Sequence, residues 1–401
     1  MELWRKNLYT LWVAQFFTMA GMNLVIPFLP FFVRELGITN QTAVARWSGL
    51  VFAGPFFFSF FLTPFWGTLG DKYGRKLMVI RAIFGLGISQ VLIGLSPNVE
   101  FLFIARMIQG AISGFVPSAL ALVSSTTPNE KSGYAIGVLQ SSTAAGTIIG
   151  PLIGGFLADI LPYRLIFFIT ASLCFTAGIL VIKIVKEDSF KKTESHSFTV
   201  KENYKFTFST PGLRLGVILI FISQLAVMLI QPIFALYIES FKINPNYLAT
   251  FTGMAFSILG IFMLISSPIW GKRIDKNGYR KNLPMAIAGA AIAYVLQGVT
   301  NSAILLILFR AIQGLFMGGI IPSIYSYISK NCVSFRRAGI MGIASGLFVL
   351  ANLIGPILGG FMASSFGFNQ VFYISGIILS LTSIYLFRNL KEPIPINECV
   401  Q

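Results

Sequence analysis

Apolar residues gather into runs close to the roughly 20 residues that a helix needs to cross a bilayer. Short polar gaps separate them, and about twelve such runs can be counted. They occupy 8–33, 47–69, 77–95, 101–124, 134–157, 165–183, 213–238, 248–270, 283–300, 303–328, 338–363 and 369–387. The pattern predicts an all-α polytopic membrane protein with twelve transmembrane helices and, because the number is even, both termini on one side. The first run has no small-x-small cleavage site and is followed by further spans, so it reads as a membrane helix and not as a removed signal. The longest polar stretch, 184–211, mixes Lys186, Glu187, Asp188, Lys191 and Glu194 with the only histidine, His196. Low hydrophobicity and mixed charge make it a solvated cytosolic linker. The expected organisation is a six-helix half over 1–183, the linker over 184–211, and a second six-helix half over 212–401 ending in a short tail.

The two halves repeat one another. Gly67, Asp71 and Gly74 recur as Gly271, Asp275 and Gly278, each 204 positions on, and the lead-in Pro64-Phe65-Trp66 recurs as Pro268-Ile269-Trp270. Arg106, Gln109 and Gly110 recur as Arg310, Gln313 and Gly314 at the same shift, while Gly150-Pro151 and Gly154-Gly155 recur as Gly355-Pro356 and Gly359-Gly360 at a shift of 205. Corresponding helices lie six spans apart, so the halves share one membrane orientation and are pseudo-symmetric about an axis along the membrane normal. Parallel repeats of this kind mark secondary transporters.

Composition changes this picture little, and charge orients it. With 55% hydrophobic and 11% charged residues and a mean hydropathy of +0.77, the chain is too apolar for a soluble fold. A net charge of +16 raises the question of nucleic acid. The basic residues, however, sit in alternate gaps, on the side of Arg5, Lys72, Lys131, Lys272 and Arg336, with only Arg34, Arg46, Arg164 and Lys242 opposite. That asymmetry orients a helical membrane protein with cytoplasmic termini. Cys174, Cys332 and Cys399 lack metal-ligand spacing and read as unpaired thiols.

The segment Gly67-Thr68-Leu69-Gly70-Asp71-Lys72-Tyr73-Gly74-Arg75-Lys76 resembles the signature loop between helices 2 and 3 of the major facilitator superfamily. Leu102 to Gly110 resembles the superfamily's helix 4 motif, and Gly146, Gly150, Pro151, Gly154 and Gly155 resemble the antiporter motif of helix 5 in its drug:proton antiporter branch. The resemblance covers essentially the whole chain. It implies alternating access, with Asp71 contacting the start of helix 11 near Ala338-Gly339. By the repeat, Asp275 would contact the start of helix 5 near Gly133-Tyr134, and the basic Arg75 and Lys76 either share in this gate or anchor the loop to anionic lipid. Small residues at 146, 150 and 154 recur every four positions and line one helix face, and Pro151 removes a helical hydrogen bond. That face is either a packing surface or, as the resemblance suggests, part of the antiport machinery.

Substrate chemistry is carried by few residues. An arginine within a span costs at least about 2.5 to 3.5 kcal/mol on insertion scales, so Arg106 and Arg310 should face a watered cavity or a partner. Gln109 and Gln313, three residues on, share the same helix faces. Asn23 and Gln231, with Gln15, Gln140, Gln224 and Asn352, are neutral candidates that either contact substrate or bridge helices. Arg81, near the end of its span, is expected to snorkel to headgroups. The 14 acidic residues fall in loops or near span ends, which leaves Asp71, Asp159, Glu35 and Glu239 as the candidates for coupling to proton flow.

The function expected is export of small amphipathic or anionic compounds by alternating access, against protons, from the inner membrane. A dedicated exporter of an endogenous metabolite such as a polycarboxylate siderophore is the alternative, since two cavity arginines would suit it. A membrane enzyme is disfavoured by the lack of an intramembrane acid and histidine cluster, and an ATP-driven pump by the lack of a phosphate-binding Gly-x-x-x-x-Gly-Lys-Ser/Thr segment. No cofactor or metal is implied. The partners expected are the substrate, protons and lipid, not nucleic acid, and the chain is expected to be a monomer.

Overall fold

The computed structural model describes residues 2–187, 199–333 and 336–393; His196, Cys399 and the Asp71 side chain lie outside that description. Among the described residues seventeen α-helices carry the chain. Eleven stretches of the described residues are long and apolar enough to cross a membrane, and a bent helix pair makes a twelfth if it is one span.

By its internal contacts the chain forms two compact units, 1–194 with 238–257, and 195–237 with 258–401. In the first unit, α1 (Leu3–Leu24) packs on α7 (Ser132–Ile160) and α8 (Tyr163–Ile184), α4 (Arg75–Gly94) packs on α8, and α3 (Gln41–Tyr73) packs on α5 (Val99–Ala111). Leu8, Leu11, Val79, Ile83, Leu86, Leu122 and Leu139 fill its core. In the second unit, α10 (Pro211–Ile230) packs on α16 (Arg337–Phe366), and α13 (Tyr279–Val299) packs on α14 (Ala303–Met317) and α17 (Phe368–Asn389). The pairings match, with α1·α7 answered by α10·α16 and α4·α8 by α13·α17, so the repeat read from the sequence is one of packing too. Phe57, Phe58, Phe61 and Phe65 are exposed along α3, as apolar side chains facing lipid would be.

Several predicted spans are broken. The 8–33 run divides into α1 and α2 (Leu29–Glu35), bent by 53°, where Pro27 and Pro30 deny the backbone its hydrogen bonds. The 213–238 run divides likewise into α10 and α11 (Phe234–Glu239) at Pro232, which stands 205 positions after Pro27. The 101–124 run breaks between α5 and α6 (Phe115–Thr126) at Gly114, whose φ of 115° is natural only for glycine. The 303–328 run breaks at Gly318-Gly319, between α14 and α15 (Ile320–Lys330). The segment expected as a charged loop, Gly67 to Lys76, is instead the last turns of α3 as far as Tyr73, and only Gly74 leaves the helix, at φ 102°. Its counterpart behaves alike: α12 (Leu248–Asn277) runs on to Asn277, and the chain turns at Gly278 with φ 77°. Within the polar linker, residues from Val200 to Ser209 form a further helix, α9. Cys174 and Cys332 are buried free thiols.

Candidate functional site

Each repeat buries one arginine with the glutamine a turn later. Arg106 on α5 donates from Nη1 to Gln109 Oε1 at 2.8 Å and from Nε to the Val51 carbonyl at 3.2 Å. That carbonyl is the one freed by Pro55, which has no N–H to offer four residues on. Arg106 therefore repairs a helix as well as lining one. Arg310 on α14 donates to Gln313 Oε1 at 3.1 Å and lies 3.7 Å from the centre of the Phe234 ring, a cation–π contact strengthened by burial. Gln297 donates to the same Gln313 oxygen at 3.0 Å. Both arginines thus have protein partners in place.

The neutral amides divide in the same way. Gln15 bridges α1 to α7 through the Leu139 carbonyl and the Thr143 hydroxyl, and Gln224 donates to Asn352 Oδ1 at 2.7 Å between α10 and α16. Asn23 donates to the carbonyl one turn back, at Met19. Gln231 caps α10 at its proline break, and Gln140 is exposed. Arg81 does not reach for headgroups. Its guanidinium stacks 3.5 Å from the centre of the Trp66 ring and donates to the Ser113 carbonyl at 3.0 Å, at the break after α5.

Beyond the signature segment, a carboxylate seats each following helix. Glu187 accepts the backbone N–H groups of Arg75 and Lys76 at 3.1 and 2.9 Å, at the half-buried N-terminus of α4. Glu392 accepts those of Tyr279 and Arg280 at 3.0 and 2.7 Å, at the N-terminus of α13. These carboxylates satisfy donors that no helix can satisfy itself and complement its dipole. They stand 205 positions apart, and the sequence signal for them is the recurrence of Lys186-Glu187 as Lys391-Glu392 past the last span of each half. Arg75 and Lys76 donate to the Ala121 and Ile182 carbonyls, so both have work within the fold. Trp66 and Trp270 donate alike, to Ala111 and Leu315. Asp71 stands in the last turn of α3, and Asp275 pairs with Lys330 at 3.3 Å.

The glycines of α7 serve two neighbours. A Cβ at Gly146, Gly150 or Gly154 would collide with the α1 backbone at Ala20 or Leu24, whereas one at Gly155 would collide with the Ala249 carbonyl, and one at Gly253 with the Pro151 carbonyl. The motif helix therefore meets both α1 and the first turns of α12 backbone to backbone. At the end of this contact Asp159 accepts the N–H groups of Ala249 and Thr250 at 3.0 and 2.8 Å, capping α12. Beside it Arg34 and Glu239 form a bidentate pair at 2.7 and 2.9 Å, and Arg164 lies 3.6 Å from Glu35. A cavity of about 350 Å³ opens among Phe31, Arg34, Glu35, Asp159, Tyr163 and Glu239. Three of the four acids singled out from the sequence, Glu35, Asp159 and Glu239, are thus brought together. Arg34 and Glu239, which stand 205 positions apart and so occupy equivalent places in the repeat, were legible as partners only through that number.

A family model described as Major Facilitator Superfamily matches residues 11–219 and again 216–398. The chain belongs to that superfamily. Among curated relatives, the multidrug resistance protein MdtG of Proteus mirabilis is 34% identical over 393 residues, 97% of each chain. MdtG of Salmonella schwarzengrund is 33% identical over 390 residues, 97% of this chain and 96% of that one. Among solved structures, a bacterial homologue of the human lysosomal transporter Spinster superposes with a TM-score of 0.81 at 13% identity, over 97% of both chains. A D-xylose–proton symporter superposes at 0.78 and 14% identity, over 97% of this chain and 98% of that one. At such identities these structures speak for the fold alone. Membership of the superfamily makes the chain a multi-pass membrane transporter and not the membrane enzyme weighed from its sequence.

Proposed function

We propose that this superfamily member is a multidrug exporter of the inner membrane, with both termini in the cytoplasm, moving small amphipathic or anionic compounds outward by alternating access in exchange for protons. The observation that carries the proposal is the similarity to MdtG along 97% of the chain. The paired helix caps at Glu187 and Glu392 and the double-faced α7 add what such a machine requires, rigid elements that move as bodies. The signature segments, with Asp71 and Asp275, are the gate of that machine. Asp159 and Glu35, in the acid–base cluster around the 350 Å³ cavity, and Asp71 are the groups proposed to couple it to protons.

The test is transport by the purified protein in liposomes with an imposed pH gradient, offering a cationic dye, a neutral drug and a polycarboxylate siderophore. Gradient-dependent movement of the dye or drug is expected, with Asp71→Asn slowing transport while leaving insertion intact. Full transport by a normally inserted Asp71→Asn protein removes the gating role. Movement of the polycarboxylate alone replaces this reading with the dedicated exporter.

A further inference from the structure

In α9 the face turned to the protein is the polar one. Asn203 and Thr207, one turn apart, are the buried residues, and a Cβ at Gly339 near the start of α16 would collide with the Asn203 side chain. The outward stripe is Val200, Tyr204 and Phe208, at i, i+4 and i+8, and these are 73, 43 and 38% exposed. Tyr204 and Phe208 stack with ring centres 6.1 Å apart. Lys201 and Lys205, each one residue further round, form a second exposed stripe along the edge of the first. A helix of a soluble surface has the opposite arrangement, apolar inward and charged outward.

Two features fix where this face lies. Thr210, which ends α9, is also the N-cap of α10, itself a membrane span, so α9 cannot leave the membrane boundary. Its side meets the start of a second span, where Arg336 lies 5.0 Å from the Phe206 ring and Arg337 is exposed. The helix is held together locally by a capping box, Thr199 Oγ1 accepting the Glu202 N–H at 3.3 Å and Glu202 accepting the Thr199 N–H at 2.9 Å. The bond from the Thr199 backbone, and then that of its side chain, hold the Glu202 carboxyl below the usual carboxylate range.

We propose that α9 is an interfacial helix that seats Val200, Tyr204 and Phe208 in the headgroup boundary of the bilayer and presents Lys201 and Lys205 to the phosphates of anionic phospholipid. An amphipathic stripe flanked by lysines binds such a surface through buried apolar area together with electrostatic attraction, and long lysine stems let the ammonium groups reach the phosphates. Arg336 and Arg337 extend the basic border at the neighbouring span.

The test uses the full chain with the photoreactive residue benzoylphenylalanine at Tyr204 or at Phe208, and at the exposed Glu202 as a control on the face opposite Tyr204. Each protein is placed in nanodiscs of phosphatidylcholine with one quarter phosphatidylglycerol. Irradiation is expected to give phospholipid adducts at 204 and 208 and few at 202, with phosphatidylglycerol about fivefold over its share of the lipid. K201Q/K205Q is expected to abolish that preference. Absence of lipid adducts at 204 and 208, adducts as frequent at 202, crosslinks to a second copy or to another part of the same chain, or adducts with no phosphatidylglycerol preference would each overturn the proposal. Either aromatic position carries the test alone should the other variant aggregate.

Discussion

At the scale of the residue, Arg106 carries two interpretations that one cycle of substitutions separates. Arg106→Ala leaves the Val51 carbonyl and the Gln109 amide without their partner in a buried place, which costs about 1 to 3 kcal/mol. Pro55→Ala returns an N–H to that carbonyl, so thermal melting should show the double variant Pro55→Ala/Arg106→Ala recovering much of the loss. Transport by the double variant then decides: activity that returns with the fold makes Arg106 structural, and activity that stays lost makes it a substrate ligand. Glu187 and Glu392 give a second residue-scale prediction. Glu187→Ala and Glu392→Ala should each lower stability by about 1 kcal/mol, as loss of a helix cap does, and the two losses should add because each carboxylate seats a separate helix. Unchanged melting in either variant would show that water caps the helix as well as the carboxylate does. Neither role was visible in hydropathy. The freed carbonyl of Val51 lies 55 residues from Arg106 in sequence, and Glu187 lies in a stretch whose composition says only that it is polar.

Elements were more legible than residues, and their interruptions less so. Length and apolarity locate every span, but apolarity continues unbroken across Pro27, Gly114, Pro232 and Gly318, where the helices are interrupted. Those breaks are written in proline and glycine, the residues that hydropathy ignores. Likewise α9 announces itself through Thr199-x-x-Glu202, a capping box set in a linker whose average polarity hides it. The antiporter-like glycines were legible as a face of small residues, while the presence of two faces was not, because Pro151 and Gly155 become meaningful only once α12 lies against them. The prediction at this scale compares glycines on one helix. Gly154→Val drives side-chain atoms into the Leu24 backbone and should cost at least about 3 kcal/mol, seen as loss of folded protein on gel filtration. Gly137→Ala, with open space where its Cβ would stand, should be neutral or gain up to about 1 kcal/mol from helix propensity. Equal tolerance at the two sites would mean that α1 and α7 can part without harm.

For the whole molecule, the repeat makes a sharper prediction than any single motif. Positions 34 and 239 are equivalent in the two repeats and meet in one ion pair, a place where two copies of the same charged residue would repel. The chain holds Arg at one and Glu at the other, so its halves are unlike where likeness would cost most. Both side chains are about one third exposed, so the pair itself contributes only about 0.2 to 1 kcal/mol, and melting should barely register its loss. Its effect should appear in transport, because the pair lines the cavity beside the place where Asp159 caps α12 and a like-charge contact there would push that side apart. Arg34→Glu is expected to lower the transport rate about tenfold, Glu239→Arg to do the same, and the exchanged pair Arg34→Glu/Glu239→Arg to restore most of it. Rates measured in the same proteoliposomes at low and at high salt check the cause, since repulsion between partly exposed charges fades as the Debye length shortens from about 10 Å at 0.1 M to about 3 Å at 1 M. Single variants that recover in salt, with an exchanged pair indifferent to it, place the effect in the charges. Single variants that transport normally at low salt would show that this pair takes no part in the cycle, and the burden of closing that side would fall on Asp159 and the backbone contacts of α7.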